Sequence, residues 1–420
     1  MSTRNISLNF MLTILFFVIV DVYVYFAYKK SIEKHKYRKT INVLYYISVI
    51  TGYIGLYFLY SNFKEKPLNA TLIPNLFIGF FFSFFVFKLI LIIFFLLEDI
   101  VRFLSLIYLG LKNLLTKKNA KVAIPERRKF IRQTGLALAA LPFASMLYGI
   151  TKGKYNFKIN KITLNYKNLP RSFNGFKIVQ ISDIHSGSFD SKEAILEGID
   201  LVNKQNPDVI LFTGDLVNND SREIEPYLND FKNLKAQHGV YSVLGNHDYG
   251  DYKKWSSDQE KRKNMDLLFD YQNEMNFQLL NNANSIISRN GESIGIVGVE
   301  NWGNTPFPQK GDLDEAIKGL DNIPFKVLLS HDPTHWAKKV LPHKSHFDLT
   351  LSGHTHGMQF GIEIPGFKWS PIKYIYPQWA DLYQKSGEYL YVNRGFGFLG
   401  FPGRAGIMPE ITVIELNHIS

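Results

Sequence analysis

The 420-residue chain contains no cysteine, which excludes disulfides, thiolate metal ligands and a cysteine nucleophile. Its net charge of +11 is unevenly placed: residues 1–150 carry 19 Lys and Arg against 6 Asp and Glu, whereas residues 151–420 carry 29 against 31. The basic excess lies between apolar segments, where it reads as membrane topology and argues against nucleic-acid binding.

Residues 1–133 read as an all-α membrane module. Ile6 to Tyr28, Ile41 to Tyr60 and Leu72 to Leu97 are apolar runs of spanning length, so three transmembrane helices are expected. The first loop carries Lys29, Lys30, Lys34, Lys36, Arg38 and Lys39, while the second, Ser61 to Ala70, carries Lys64 and Lys66 against Glu65. The positive-inside rule puts the first loop in the cytoplasm and the second loop and the N-terminus outside. Residues 98–132 return to the cytoplasm with nine Lys and Arg, and Ile100 to Leu115 is expected to lie on the membrane as an amphipathic helix.

The stretch Glu126-Arg-Arg-Lys-Phe-Ile-Arg132 precedes an Ala-rich apolar run and resembles a twin-arginine export signal. A basic cytoplasmic stop before a further span has the same composition. Either way residues 134–152 form a fourth transmembrane helix and carry the rest of the chain to the outer face of a bacterial cytoplasmic membrane, the periplasmic face in a Gram-negative cell. Asp21 and Lys88 fall at similar depth inside the first and third spans and are expected to pair.

From residue 155 to 420 the composition is that of a soluble domain. Phe176 to Ser182, Val209 to Thr213, Val240 to Leu244, Ile294 to Val299, Phe325 to Ser330 and Asp348 to Ser352 read as strands. Ser191 to Lys204, Glu223 to Leu234 and Asp258 to Met275 are amphipathic, which predicts an α/β domain with sheets inside and helices outside. Polar clusters follow the strands: Asp183-Ile184-His185, Gly214-Asp215, Gly245-Asn246-His247-Asp248, Ser330-His331-Asp332 and Gly353-His354-Thr355-His356. Carboxylates, an amide and imidazoles converging on one sheet edge are what two divalent cations sharing a water need.

These motifs, in this order and spacing, resemble the calcineurin-like metallophosphoesterase superfamily over residues 160 to 416. Leu169-Pro170, Gly175-Phe-Lys-Ile, Asn393-Arg394-Gly395, Pro402, Arg404 and Pro409-Glu410-Ile411 are similar to its bacterial membrane-associated branch. The resemblance implies a four-layer αββα sandwich and a metal-dependent phosphoric ester hydrolase. It also implies two divalent metal ions, manganese or iron before zinc, with a bridging hydroxide as the attacking group. Asp183, His185 and His356 match one metal site, Asn246, His331 and His354 the other, and Asp215 the carboxylate that bridges them. His247 matches the residue that contacts the scissile phosphate and protonates the leaving group, with Asp248 expected to orient its imidazole. Asn218 and Met358 stand where relatives often have Asp and Gly.

Substrate identity is less legible. Phe367, Trp369, Tyr374, Tyr376, Trp379 and Tyr383 follow the last histidine motif and either wall the site or pack an irregular insertion. Arg394 and Arg404 either bind a substrate phosphate or cap carbonyls. The tether makes the membrane a partner and suggests a phosphomonoester or phosphodiester of a lipid or envelope component. A pyrophosphatase acting on a nucleotide-activated or lipid-linked substrate, and a non-catalytic metal-stabilised scaffold or sensor, are the alternatives.

Overall fold

A computed structural model describes residues 3–33, 35–65, 69–116 and 125–420. Lys34, Lys66, Lys117, Lys118 and Lys121, which enter the topology reading, lie outside the described residues. The chain divides into two units: Leu76–Tyr148 joins the preceding helices, and residues 69–75 join Gly149–Ser420.

The first unit is helical, with α1 (Thr3–Ile32), α2 (Arg38–Glu65), α3 (Leu72–Thr116) and α4 (Pro125–Thr151). All four are long and apolar enough to cross a membrane. Asp21 and Lys88 pair as expected. The Tyr53 hydroxyl donates to the same carboxylate at 3.1 Å, and the ammonium sits 3.9 Å from the centre of the Phe84 ring. An ion in an apolar helix bundle survives by finding its counter-ion and further polar contacts.

One expectation is corrected here. The separate surface helix over Ile100 to Leu115 does not exist: α3 is one unbroken helix of 45 residues. Nothing between Leu97 and Ile100 breaks a helix, the sequence there being Leu-Glu-Asp-Ile with neither Gly nor Pro. At ~1.5 Å per residue it spans ~67 Å, about twice the hydrocarbon thickness.

The second unit contains two six-stranded mixed sheets. The first has the order β1 (Lys158–Tyr166), β14 (Glu410–His418), β2 (Phe176–Ile181), β3 (Val209–Phe212), β4 (Val240–Ser242), β5 (Phe277–Leu279). The second runs β12 (Asp381–Lys385), β13 (Glu388–Val392), β9 (Leu349–Ser352), β8 (Lys326–Leu329), β7 (Glu292–Gly298), β6 (Ala283–Arg289). A separate hairpin pairs β10 (Ile362–Ile364) with β11 (Phe367–Trp369).

Alternation along the strands makes the layers. Ile178, Leu211 and Val243 meet Ile296, Val327 and Leu351 between the sheets. Their neighbours Val179, Ile210 and Phe212 face outward against Ile199 and Val202 of α5 (Lys192–Asn203) and Leu268 of α7 (Asp258–Glu274). On the far side, Val297, Leu328 and Val392 pack against Leu313 and Ala316 of α8 (Leu313–Ala316) and against Trp336 and Val340. Strands buried on both faces carry apolar residues at consecutive positions, which is why they read as continuous runs. The expected αββα sandwich is borne out.

The helix expected over Glu223 to Leu234 is instead a 3₁₀ segment, Ser221–Tyr227, followed by the four residues of α6 (Leu228–Phe231). Pro226 lies inside that segment and has no N–H to continue an α-helical ladder. Strands β2, β3 and β4 are parallel, as are β7, β8, β9 and β13, so the loops after β2, β3, β4, β8 and β9 that carry the five polar clusters leave strands by their C-terminal ends.

Candidate metal centre

Each strand ends where the chain turns sharply. Asp183, His185, Asp215, His354 and His356 all have positive φ, between 48° and 71°. A left-handed L-residue costs roughly 1–2 kcal/mol, so five together persist only because bonds between loops hold them. The Asp183 amide donates to the Gly214 carbonyl at 2.9 Å, the His185 amide to the Asp215 carbonyl at 3.1 Å, and the Gly353 amide to the His331 carbonyl at 2.9 Å. Two glycines permit the crowding. A Cβ at Gly245 would lie 2.1 Å from Asp215 Oδ1, and one at Gly353 would lie 2.2 Å from Asp183 Oδ2.

The turns bring all seven expected ligands together. Among the described residues, Asp183, His185 and His356 form one group, and Asp215, His331 and His354 another, with ligand atoms in each lying within 4.8 Å of one another. The groups share an edge. Asp215 Oδ2 lies 3.2 Å from His331 Nε2 in its own group and 3.5 Å from His185 Nε2 in the other. Asn246 Oδ1 joins the second group, 2.8 Å from His354 Nδ1.

Backbone and side-chain partners aim these donors. His331 Nδ1 donates to the Thr213 carbonyl at 2.7 Å, which turns Nε2 toward Asp215 and the ligand group. His185 Nδ1 is held 3.1 Å from Asn218 Oδ1. His354 reverses the pattern: its Nε2 lies 2.7 Å from the Tyr376 hydroxyl, leaving Nδ1 toward the group. Asn246 donates its amide N–H to Tyr252 Oη at 2.9 Å, which turns its oxygen inward.

The expected role of Asp248 is corrected. It does not orient His247, whose Nδ1 lies 2.8 Å from the Asn218 carbonyl. The fully buried Asp248 carboxylate instead accepts backbone N–H bonds from Gly245 at 2.8 Å, Asp215 at 2.9 Å, Leu216 at 2.8 Å and Val217 at 3.3 Å. Amides of two adjacent loops saturate it, so none of its bonds goes to the imidazole. Asn218, which stands in the sequence where relatives often have Asp, therefore positions two imidazoles. Tyr252, its ring tilted 35° against His247 with ring centres 4.5 Å apart, had no motif to announce it.

Electrostatics suits cations. Burial opposes ionisation of Asp215, yet the imidazoles of His331, His247 and His185 hold its carboxyl well below the usual range. Burial likewise opposes Asp183, and His356 and His331 hold it down. Burial holds His185 and His354 below the ordinary histidine value, whereas Asp215 and Asp183 overcome burial at His331 and push it up to about 10. Ionised carboxylates beside imidazole nitrogens, with no thiolate, form a mixed N/O donor set that fits two borderline divalent cations. The donor set makes the fit: each group supplies one carboxylate and two imidazoles within 4.8 Å of one another.

Neither arginine flagged in the sequence has a free head. Arg394 pairs with Glu410 at 2.6 Å, Glu363 at 2.5 Å and Asp381 at 2.7 Å. Arg404 is buried among the carbonyls of Arg394, Gly395 and Gly397, and burial pushes its guanidinium down to about 9. The carbonyl-capping alternative describes Arg404, and ion pairing describes Arg394. Of the aromatic segment, Tyr376 reaches the centre and Trp379 is packed inside the domain, while Phe367 and Tyr374 are exposed.

Comparison with known families follows this geometry. The family described as "Calcineurin-like phosphoesterase" matches residues 176–358, and that described as "Probable Calcineurin-like phosphoesterase, transmembrane domain" matches residues 4–154. A "Transmembrane protein with metallophosphoesterase domain" from Danio rerio is 29% identical over 297 residues, covering 68% of this chain and 63% of that protein. Its namesake in Bos taurus is 28% identical over 308 residues, covering 70% and 65%. The "Uncharacterized metallophosphoesterase YkuE" of Bacillus subtilis is 29% identical over 300 residues, covering 69% and 97%. The match thus spans just under two thirds of the first two relatives' length.

The Gly245 contact generates a test. A methyl group in Gly245→Ala displaces the Asp215 carboxylate, and metal affinity is expected to fall about 10–100-fold in a Mn²⁺ titration, the usual cost of disturbing a ligand's support. Circular dichroism should stay that of the native chain. Unchanged affinity would show that Asp215 is not held as described.

Proposed function

We propose that this chain, whose residues 176–358 match the calcineurin-like phosphoesterase family and residues 4–154 its transmembrane companion, is a membrane-anchored phosphoesterase with a dinuclear metal centre, hydrolysing a phosphomonoester or phosphodiester. One observation carries the reading: a single Asp215 oxygen lies within 3.5 Å of imidazole nitrogens from both ligand groups. Asp183, His185 and His356 would hold one ion, and Asn246, His331 and His354 the second, with Asp215 between them. Two divalent cations so placed supply Lewis acidity to the phosphoryl oxygens and a nucleophile at neutral pH, and the N/O donors suit Mn, Fe or Zn.

The remaining work falls to the protein. His247 is half-buried and borders His185, with ring centres 4.9 Å apart. Its Nδ1–H donates to the Asn218 carbonyl, which leaves Nε2 free to carry a proton to the leaving oxygen. Its own amide donates to Asp215 Oδ1 at 2.8 Å, which ties the backbone of the acid to the shared carboxylate. Tyr252, tilted against the imidazole and half exposed, offers a wall for the leaving group.

The proposed setting is a bacterial cytoplasmic membrane with the phosphoesterase domain on its outer face. The positive-inside reading supports it, and so does an independent contact. Residues 69–75, the end of the second loop and the first turn of α3, belong to the same unit as the phosphoesterase domain. The Ala70 amide donates to the Gly187 carbonyl at 2.9 Å, and Asn75 Nδ2 donates to Asp190 at 2.8 Å. These bonds support the reading in which the second loop and the domain lie on the same face of the membrane.

Purified full-length protein loaded with Mn²⁺ is expected to hydrolyse a chromogenic phosphomonoester or phosphodiester and to lose activity on chelation. His247→Ala should lower kcat by about 10²–10⁴-fold while keeping its metals, the range for a lost general acid. Wild-type turnover in Asp215→Asn would refute the dinuclear reading, and metal-loaded protein inert toward every ester would favour the scaffold. Because the chain has no cysteine, Lys344→Cys provides a single label for topology. A membrane-impermeant maleimide should modify it on intact spheroplasts; labelling only after lysis would reverse the orientation.

A further inference from the structure

The β10–β11 hairpin wears its pattern inside out. Its register pairs Ile362 with Trp369, Glu363 with Lys368 and Ile364 with Phe367, so one face is wholly apolar and the other holds the charges. The charged face turns toward the domain, where Glu363 bonds to Arg394 and Lys368 to the carboxylate of Asp381. The apolar face turns to solvent. Ile362, Ile364 and Phe367 are 48%, 58% and 52% exposed, and the nearby Tyr374 and Ile375 are 74% and 68% exposed. A hairpin in water alternates the other way, polar out and apolar in, so this inversion needs an apolar partner.

The hairpin's place in the fold identifies that partner. Residues 359–361 run beside residues 401–405: Gln359 Nε2 donates to the Phe401 and Gly403 carbonyls, and the Gly361 amide donates to the Ala405 carbonyl at 2.9 Å. The other side of that same loop packs on the end of α4. The Arg404 amide donates to the Gly149 carbonyl at 3.3 Å, and a Cβ at Gly403 would lie 2.8 Å from the Ile150 nitrogen. One loop thus separates the apolar hairpin from the residues where the chain leaves its fourth span. Trp369, Lys373 and Tyr374 beside the aliphatic tip have the composition of a bilayer interface anchor. From there the chain leads directly to the ligands, since Tyr376 follows Ile375 and its hydroxyl touches His354.

We infer that the β10–β11 hairpin and the Tyr374–Ile375 turn insert into the lipid headgroup region and hold the mouth of the metal centre against the bilayer. The substrate class that follows is a phosphate ester carried on a membrane lipid, whose headgroup reaches the centre while its acyl chains stay beside Ile362, Ile364, Phe367 and Ile375. This second step rests on the phosphoesterase reading; the insertion does not.

Insertion is read without catalysis. Full-length protein carrying Phe367→Cys or Ile375→Cys, labelled with an environment-sensitive fluorophore in liposomes, should emit to the blue and be quenched by nitroxide-bearing phospholipids. Lys344→Cys, in the loop preceding β9 and remote from its ligand-bearing end, should be neither shifted nor quenched. In Mn²⁺-loaded liposomes, Phe367→Asp together with Ile375→Asp should lower the ratio of activity on vesicle phospholipid to activity on a soluble chromogenic ester by roughly tenfold, because a carboxylate resists entry into lipid. Probes at Phe367 and Ile375 as water-exposed as the one at Lys344 would overturn the inference. So would cross-linking of Phe367→Cys between two chains without quenching, which assigns the face to a second copy. Quenched probes on a protein inert toward every ester would instead retain the insertion and defeat the phosphoesterase reading.

Discussion

The buried carboxylate of Asp248 draws the loops after β3 and β4 together by accepting four backbone N–H groups, and the metal centre takes its shape from that closure. The adjacent Asp215 is thereby fixed in a left-handed turn. Its Oδ1 is pinned by the His247 amide, and its Oδ2 is directed between the two ligand groups. Gly245 is the space this arrangement requires, because any side chain there would occupy the volume of the Asp215 carboxylate. Backbone strain in five ligands, the knot of amides and the glycine contacts are thus parts of one device. Donors that would repel one another are held together before a cation arrives, which is the preorganisation a metal centre needs.

The same economy extends outward from the centre. Asn218 uses its side chain for His185 and its carbonyl for His247, while the Asn218 and Asn219 amides are tied to Glu223 in the following 3₁₀ segment. Asp190, just beyond the His185 loop, gathers Asn75 in the first turn of α3 and Lys154 and Tyr155 just past α4.

Much of this was legible in the sequence because its physics is local. Strands buried on both faces announce themselves as short apolar runs, and Asp183, His185, Asp215, Asn246, His331, His354 and His356 each stand one to four residues beyond such a run, where a parallel strand delivers its ligands. The apolar helices and the Asp21–Lys88 pair were likewise legible, since length and depth settle them. What escaped depends on distant contacts. Asp248 beside His247 suggested an orienting pair, but the chain turns the carboxylate back under the loop, and only the folded path reveals its amide partners. Tyr252 and the Asn218 carbonyl act through positions that no spacing encodes. The break expected before Ile100 failed for a simpler reason, a change from lipid-facing to amphipathic composition being no obstacle to a continuous helix.

The central claim is that one Asp215 carboxylate lies between two ions. The most direct measurement is electron paramagnetic resonance of the full-length protein titrated with Mn²⁺, with metal content determined in parallel. Two ions per chain and an exchange-coupled spectrum, replaced in Asp215→Asn by uncoupled Mn²⁺ signals, are the predicted result. A single tightly bound ion with an isolated six-line spectrum in the native protein would contradict it.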